Sequence, residues 1–271
     1  MARLNPVDVV AGYLNRYVTA PRYEGAERLD LTAADGVRLH AVRLAGPATA
    51  RAAVVIVHGF VNWHRTPRIH AFATALSEHV EVIALDLRGH GHSGGDSTLG
   101  VEEALDVAAA VEAVTPGRPV VLVGTSLGGA AALLYAGRAR ELAQREVAAA
   151  VAVSAPAHWR GQTGEGLTRV RRFASSPAGR TAMAVLMRTR VGDCGQPRPD
   201  PVDAVGGVAP ARTVIVHDPA DWYFGPEHAQ ALYDAALEPR ALWWTENAGH
   251  GTDLLTPEFS TRLLSDVIDR L

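Results

Sequence analysis

The fold of this chain is decided by Gly124-Thr125-Ser126-Leu127-Gly128-Gly129, which directly follows the apolar run Pro119-Val120-Val121-Leu122-Val123. A short β-branched run, then Gly-x-Ser-x-Gly, then an alanine-rich segment predicts a strand, a sharp turn and a helix. This order is the context of a nucleophile elbow. We therefore expect Ser126 to have a strained backbone conformation and a side chain lifted clear of the sheet.

The glycines of this turn are expected to be required by close packing. A Cβ at Gly124 or Gly128 would collide with the neighbouring strand or helix. The helix that follows points its free N–H groups and the positive end of its dipole at the serine, where an oxyanion would form. A bare Gly-x-Ser-x-Gly is a weak signal, but the strand before it and the helix after it favour a functional interpretation.

Length and composition are those of an ordinary globular protein. The chain has 271 residues, of which 48% are apolar and 20% are charged, enough for one α/β domain with an insertion or for two small domains. No apolar run approaches the roughly 18 residues of a membrane span, and the N-terminus lacks the layout of a signal peptide. The net charge of −3 gives no case for nucleic-acid binding.

Cysteine and lysine usage add two constraints. The single cysteine, Cys194, excludes an internal disulfide framework and favours a cytoplasmic location. It lies in a Gly/Pro-rich loop with no partner histidine nearby in sequence, so it is a weak alternative nucleophile. All 26 basic residues are arginines, which excludes a lysine Schiff base or a lysine general base.

Strands and helices alternate along most of the chain. Apolar runs predict strands at 52–57, 80–86, 119–123, 147–154, 212–217 and 240–245. Helical spacing predicts helices at 66–79, 101–114, 127–145, 226–237 and 256–271. This alternation predicts an α/β fold with a mostly parallel central sheet and helices on both faces. Ligands bind such sheets at the carboxyl ends of the strands.

Two further elements precede this alternation. Asn5-Pro6 is a typical helix start, and apolar residues at helical spacing follow it over 7–18. Alternating strands over 27–32 and 37–44 flank a turn and predict a hairpin. We assign 1–26 to an N-terminal helix and lead-in, and 27–154 with 212–271 to the α/β core.

The segment 155–211 interrupts the alternation between two predicted strands, and we expect it to form a small helical cap over the site. Ser176-Pro177 begins a predicted helix. The residues expected on one face of that helix are Ala178, Ala182, Val185, Leu186 and Thr189.

Charge is unevenly distributed in this segment. Between residues 160 and 198 there are eight arginines against two acidic residues, a net charge of +6. One interpretation is a basic cap that attracts an anionic substrate or a carrier-bound acyl group. The other is a solvated arginine surface that acidic patches elsewhere balance.

A serine nucleophile needs a base, and the base needs an orienting acid. In this type of fold the expected chain order is serine, acid, histidine. Two histidines follow the plausible acids. His228 lies within a predicted helix, whereas His250 lies in a glycine-flanked loop just after a strand. We therefore predict His250 as the general base of Ser126.

Two aspartates are candidates for the acid, and both follow the strand predicted at 212–217. Asp218 leaves the strand directly and, with Pro219, is expected to shape the turn. Asp221 lies three residues further out, where the loop can present it to a histidine. We favour Asp221 and keep Asp218 as the alternative.

An oxyanion hole requires two N–H donors. We predict the backbone N–H of Leu127, next to the nucleophile, and that of Phe60, in the loop after the strand at 52–57. His58 in that loop is expected to brace it. Trp63, which follows the loop, and Trp222, next to the predicted acid, are candidate substrate-binding residues.

Four motifs carry a resemblance to a known family. They are His58-Gly59-Phe60, Asp86-Leu87-Arg88-Gly89-His90-Gly91-His92-Ser93, Gly124-Thr125-Ser126-Leu127-Gly128-Gly129 and Gly249-His250-Gly251. On these motifs the chain resembles the α/β-hydrolases from about residue 27 to 271. The second motif resembles a turn common in esterases, lipases and acyl-peptidases, which implies a structural role.

The chain departs from the family pattern at two places. Asp218 stands where relatives usually carry glycine, and Trp63 and His64 follow the oxyanion loop closely. His90 and His92 raise the question of a metal site, but no other ligand cluster accompanies them in the sequence. We expect no metal and no cofactor.

The resemblance implies acyl transfer, because a serine at the elbow differs from the aspartate of haloalkane dehalogenases and epoxide hydrolases. The expected activity is hydrolysis of a small carboxylic ester through an acyl-enzyme on Ser126. A thioesterase or acyltransferase acting on a CoA- or carrier-bound acyl group would need the same residues. A non-catalytic binding protein on this fold would usually lack part of the triad. The oligomeric state is left open.

Overall fold

The structure is a computed structural model that describes residues 21–159, 165–192 and 199–271. The strands are β1 Glu27–Thr32, β2 Arg38–Leu44, β3 Ala53–Val57, β4 Glu81–Asp86, β5 Val120–Thr125, β6 Ala149–Val153, β7 Arg212–His217 and β8 Arg240–Trp244. They form one sheet in the order β1-β2-β4-β3-β5-β6-β7-β8. The first two pairings, β1 with β2 and β2 with β4, are antiparallel, and the others are parallel. The predicted hairpin and mostly parallel sheet are confirmed.

Helices connect these strands. They are α1 Pro67–Ser77, α2 Glu103–Glu112, α3 Leu127–Arg138, α4 Glu165–Ser175, α5 Pro177–Leu186, α6 Pro201–Ala204, α7 Pro226–Ala235 and α8 Pro257–Asp266. Short 3-10 turns lie at Val205–Val208, Gly251–Leu254 and Ile268–Arg270. The helix predicted over 127–145 ends at Arg138, and Ala143 beyond it has a φ of 51°, which a helix does not accommodate. The helix predicted over 7–18 lies outside the described residues.

The sheet separates two hydrophobic layers. Along β3, Val55 and Val57 pack into one layer and Val54 and Ile56 into the other, as the period of two along a strand requires. Residues of α2, α3 and α7 belong to the first layer, and residues of α1 and α8 to the second. Because both faces are covered by helices, the central strands β3 and β6 are buried and apolar throughout.

The segment between β6 and β7 contains α4 and α5, and the face of α5 predicted to carry Val185 and Leu186 is exposed. Val185 and Leu186 are 72% and 55% exposed, while Gly179 and Met183 are buried. The physical reason is a close approach between the helices. A Cβ on Gly179 would collide with the carbonyl group of Phe173 in α4, so this glycine and the residue one turn later face inward.

The end of the same segment joins the core. Val205 and Val208, in the 3-10 turn, belong to the same hydrophobic layer as Leu133 of α3. Gly137 of α3 lies against the carbonyl group of Ala204 in α6. Of the helices in the described ranges, none combines the length and apolar character needed to cross a membrane.

Candidate active site

Ser126 stands at the junction of β5 and α3 in a strained conformation. Its φ of 52° and ψ of −118° lie in a region that non-glycine residues seldom adopt. Two hydrogen bonds hold it there: the Ser126 N–H donates to the carbonyl oxygen of Val153 at 2.8 Å, and its own carbonyl oxygen accepts from the N–H of Ala130 at 3.0 Å. The conformation predicted for the elbow is confirmed.

The glycines around the serine are required by close packing, as predicted. A Cβ on Gly124 would overlap the carbonyl group of Gly128 in α3. A Cβ on Gly128 would overlap the carbonyl group of Val57 at the end of β3. A Cβ on Gly59 would lie 3.1 Å from the Cβ of Ser126. The elbow is therefore packed tightly against β3 and the loop that follows it.

Three of the predicted side chains meet at the carboxyl ends of β5, β7 and β8. The His250 Nε2 lies 3.0 Å from the Ser126 Oγ, and the His250 Nδ1 lies 2.6 Å from the Asp221 Oδ2. The Asp221 side chain is fully buried, and that of His250 is 14% exposed. Both distances are within hydrogen-bonding range. The arrangement can therefore relay a proton from the serine to the imidazole while the carboxylate orients the ring.

The loop around His250 is shaped by two glycines and two aromatic rings. Gly249 and Gly251 have φ values of 92° and 58°, which glycine adopts without steric cost. The rings of Tyr223 and Phe224 lie 4.4 and 5.6 Å from the imidazole, between centroids. These contacts fix the plane in which the imidazole faces Ser126.

Asp221 is held by the chain that follows it. Its Oδ1 accepts hydrogen bonds from the N–H of Tyr223 at 2.8 Å and from that of Phe224 at 3.3 Å. The other oxygen, Oδ2, is left for His250. The acid therefore presents one oxygen in a fixed direction.

Asp218, the alternative acid, has a different set of partners. Its Oδ1 accepts from the N–H of Ala220 at 2.8 Å, in agreement with the turn-shaping role expected of it. Its Oδ2 accepts from the N–H groups of Ala248 and Gly249, the two residues before His250. Burial would raise the pKa of Asp218, but these three N–H donors hold the pKa below its ordinary value. Asp218 thus connects the acid loop to the histidine loop.

Sequence reasoning did not find the link from Asp218 to the histidine loop. The partners are 30 and 31 positions apart along the chain, and no local pattern relates them. The only signal in the sequence was that Asp218 occupies a position where relatives usually carry glycine.

Phe60 and Leu127, whose N–H groups are predicted to form the oxyanion hole, line a cavity together with Ser126. Leu127 is the first residue of α3, and Phe60 lies in the loop after β3. Within the described part of the chain, neither N–H donates a hydrogen bond. Both therefore remain available to an oxygen beside Ser126.

His58 braces the oxyanion loop. Its Nδ1 lies 2.8 Å from the carbonyl oxygen of Gly59, and its Nε2 accepts from the N–H of Leu87 at 3.0 Å. Burial, with a contribution from the neighbouring His90, lowers the pKa of His58 to about 3. Because the ring is neutral and its one acceptor nitrogen is occupied, His58 is not available as a second base.

Two adjoining cavities, each of about 100 Å³, meet at Ser126. Phe60, Leu167, Val170 and Phe224 line both. Cavities for drug-sized ligands are typically about 300–1,000 Å³, so the space beside the serine suits a small substrate.

The two candidate substrate-binding tryptophans are absent from the described lining of these cavities. Trp63 is 5% exposed, and its ring faces the Arg188 guanidinium at 5.1 Å. Trp222 is 54% exposed on the surface. The residue after it, Tyr223, lines the cavity instead, and the Trp222 ring packs against the Tyr223 ring at 5.2 Å between centroids.

The model of the alpha/beta hydrolase family matches residues 54–269. The chain belongs to this family. No curated protein sequence matches the chain.

Solved structures of this alpha/beta hydrolase's fold include several esterases. An esterase from Pyrococcus furiosus is 18% identical, with a TM-score of 0.69 over 100% of this chain and 96% of that one. An esterase from Rhodococcus is 17% identical, with a TM-score of 0.70 over 89% and 98%. A thermophilic esterase from Thermogutta terrifontis is 20% identical, with a TM-score of 0.66 over 90% and 99%. At these identities the likeness shows the fold alone.

A buried carboxylate, Asp86, organises the loops behind the site of this hydrolase. Its Oδ1 accepts from the backbone N–H of His64 at 2.7 Å and lies 2.8 Å from the His64 Nδ1. Its Oδ2 accepts from the N–H of His92 at 2.9 Å and lies 3.6 Å from the His40 Nδ1. Burial would raise the pKa of Asp86, but His40 and His64 hold the pKa below its ordinary value.

The same cluster is the one place in the described chain where residues suited to a metal ion converge. His40, His64 and Asp86 each offer a ligand atom within 4.8 Å of the others, a grouping that the sequence did not indicate because β2, β4 and the oxyanion loop are far apart along it. Hydrogen bonds already engage both carboxylate oxygens. Through these hydrogen bonds the cluster connects the oxyanion loop, at His64, to the turn after β4, at His92.

Proposed function

We propose that this alpha/beta hydrolase is a serine hydrolase that cleaves small carboxylic esters. The observation that carries the proposal is the hydrogen-bonded series Asp221, His250 and Ser126, at 2.6 and 3.0 Å, beside a cavity. The free N–H groups of Phe60 and Leu127 support it, since an ester carbonyl develops negative charge on its oxygen as the serine attacks.

The proposed first half-reaction forms an acyl-enzyme. The Ser126 Oγ attacks the carbonyl carbon while the His250 Nε2 takes its proton, and the tetrahedral oxygen accepts hydrogen bonds from the two N–H groups. When the intermediate collapses, the bond to the leaving oxygen breaks and His250 returns the proton to that oxygen. An alcohol departs, and Asp221 stabilises the imidazolium throughout.

The second half-reaction consumes one water molecule. His250 takes a proton from the water as its oxygen attacks the acyl carbon. The bond to the Ser126 Oγ then breaks, and His250 gives that oxygen its proton. A carboxylic acid leaves, and the enzyme returns to its starting state.

We further propose that α4 and α5 form the cap over this site. Leu167 and Val170 of α4 line both cavities beside Ser126, which supports a direct role in shaping the space for substrate. A cytoplasmic location belongs to the same proposal and rests on the single cysteine, Cys194.

The test is a paired assay with 4-nitrophenyl butyrate and butyryl-CoA, which carry the same acyl group. We expect ester hydrolysis by the wild type and a loss of at least about a thousandfold in kcat for Ser126→Ala. Ser77→Ala, on the exposed surface of α1, is the matched control and should retain full activity. Full activity in Ser126→Ala would refute the proposal, and faster turnover of butyryl-CoA would instead identify a thioesterase.

A further inference from the structure

The two cavities beside Ser126 serve different parts of a substrate if the proposed function holds. His250 must hand a proton to the leaving oxygen, and the first cavity is lined by His250, Gly251 and Thr252. The leaving group therefore occupies that cavity. The acyl group extends to the other side of the carbonyl carbon, into the second cavity, which is lined by Leu127 but not by His250. We call the second cavity the acyl cavity.

Apart from Ser126 itself, the described lining of the acyl cavity is apolar except at one position. Leu99, Trp159 and Ala174 contribute to its walls. Among its described lining residues, the only charged side chain is that of Arg171, on α4. The adjacent Arg172 does not line either cavity. A cation at the edge of an otherwise apolar space indicates a ligand with an apolar stem and an anionic end.

The Arg171 guanidinium has most of its hydrogen-bonding capacity available. It donates one hydrogen bond, from NH2 to the carbonyl oxygen of Trp159 at 3.2 Å. No described carboxylate forms an ion pair with it, whereas Arg88 and Arg190 have such partners. A guanidinium carries five N–H donors in a planar fork, so Arg171 can still bind a carboxylate through two parallel hydrogen bonds.

The group that holds Arg171 is itself anchored. The Trp159 backbone N–H donates to the Asp200 Oδ1 at 2.8 Å, and its indole N–H donates to the carbonyl oxygen of Pro199 at 2.9 Å. The Trp159 ring also packs against Gly100, where a Cβ would collide with it. The carbonyl that positions Arg171 is thus fixed from two sides.

We infer that the acyl group of the preferred substrate ends in a carboxylate that Arg171 binds, so that the substrates are half-esters of short dicarboxylic acids. This inference rests on the proposed function and deepens it. The surrounding charge agrees with it, since residues 160–198 carry a net charge of +6 in a chain whose total is −3. An excess of positive charge in this segment favours the approach of an anionic substrate.

The test compares monoethyl esters of succinic, glutaric and adipic acid with the neutral monoamides of the same half-esters. Each pair has the same length and nearly the same shape and differs in charge at the far end. The quantity measured is the ratio of kcat/KM for acid over amide, in the wild type, Arg171→Gln and the matched control Arg172→Gln. We expect a wild-type ratio of about tenfold or more at the best chain length, a ratio near one in Arg171→Gln, and the wild-type ratio in Arg172→Gln.

The possible outcomes distinguish a failure of this inference from a failure of the proposed function. Turnover of the amides with a ratio near one in the wild type would overturn the inference and leave the ester hydrolase intact. Equal loss of the ratio in both arginine variants would also overturn it, because a diffuse basic surface would then explain the preference. If the folded protein turned over none of the esters, both the proposed function and the inference would be refuted.

Discussion

At Ser126 the backbone has a conformation that costs on the order of 1–3 kcal/mol for a non-glycine residue. Hydrogen bonds to Val153 and from Ala130 hold it, and its side chain faces His250. The spacing of glycines and serine was enough to predict this residue, since the elbow is a local structure. The choice of Asp221 as the partner of His250 rested on its distance from the strand end, and the 2.6 Å contact agrees with that prediction.

The first prediction concerns Asp221→Asn. An amide cannot stabilise the imidazolium and favours the wrong tautomer of His250, so kcat should fall by about 10⁴-fold. The measurement is steady-state hydrolysis of 4-nitrophenyl butyrate, with circular dichroism to verify folding. A loss of less than tenfold in a folded variant would exclude Asp221 as the orienting acid.

The second prediction concerns Asp218→Asn. Asparagine keeps one acceptor oxygen, so either the bond to Ala220 or the pair to Ala248 and Gly249 is lost. We expect His250 to be less well positioned and kcat to fall about tenfold, with little change in KM. If Asp218→Asn costs more than Asp221→Asn in the same assay, the roles of the two aspartates are reversed.

At the scale of elements, the packing of α3 against β3 decides whether the elbow can form. The alternation of apolar runs predicted each strand of the core. A buried parallel strand can be predicted from its own residues, because it is a nearly continuous apolar run. The insertion was harder to predict, since α4 and α5 are defined by their contact with each other at Gly179 and Phe173. The inward-facing side of α5, at Gly179 and Met183, follows from this contact, while the apolar Val185 is exposed.

The third prediction compares Gly128→Ala with Gly129→Ala in the same helix. Both changes improve helix propensity by about 1 kcal/mol. The Cβ at Gly128 would overlap the backbone of Val57, whereas that at Gly129 would lie 3.0 Å from both the Ala155 Cβ and the Gly124 carbonyl oxygen, a tight contact without overlap. Urea denaturation should show that Gly128→Ala lowers the free energy of unfolding by about 3 kcal/mol more than Gly129→Ala. Equal stability of the two variants would contradict the packing described here.

At the scale of the whole molecule, several histidines are buried in a neutral state. Burial lowers the pKa values of His58, His90 and His228, among others. Their pKa values in the unfolded chain are about 6.5. Below that pH the unfolded chain binds protons that the folded chain does not, so the stability of the fold should decrease as the pH falls. The sequence motifs contain His58 and His90, but the burial of these histidines follows from the assembled layers.

The fourth prediction isolates His58, whose folded pKa is about 3. Between pH 4.5 and 5.5 the unfolded residue is protonated and the folded one is not, which contributes a slope of about 1.4 kcal/mol per pH unit. Glutamine does not titrate, so His58→Gln removes the proton uptake of this residue on unfolding. The slope of the free energy of unfolding against pH should therefore be smaller in the variant by about 1.4 kcal/mol per pH unit. The measurement is urea denaturation of both proteins at several pH values. Identical slopes would show that His58 is protonated in the fold.

The central claim is that His250 activates Ser126, and fluorophosphonate labelling tests it without any choice of substrate. An activated serine displaces fluoride and forms a phosphonate ester, which mass spectrometry locates. We predict one adduct, on Ser126, that is absent in Ser126→Ala and forms at least about a thousandfold more slowly in His250→Ala. No adduct on the folded wild type, or equally fast labelling of His250→Ala, would contradict the account.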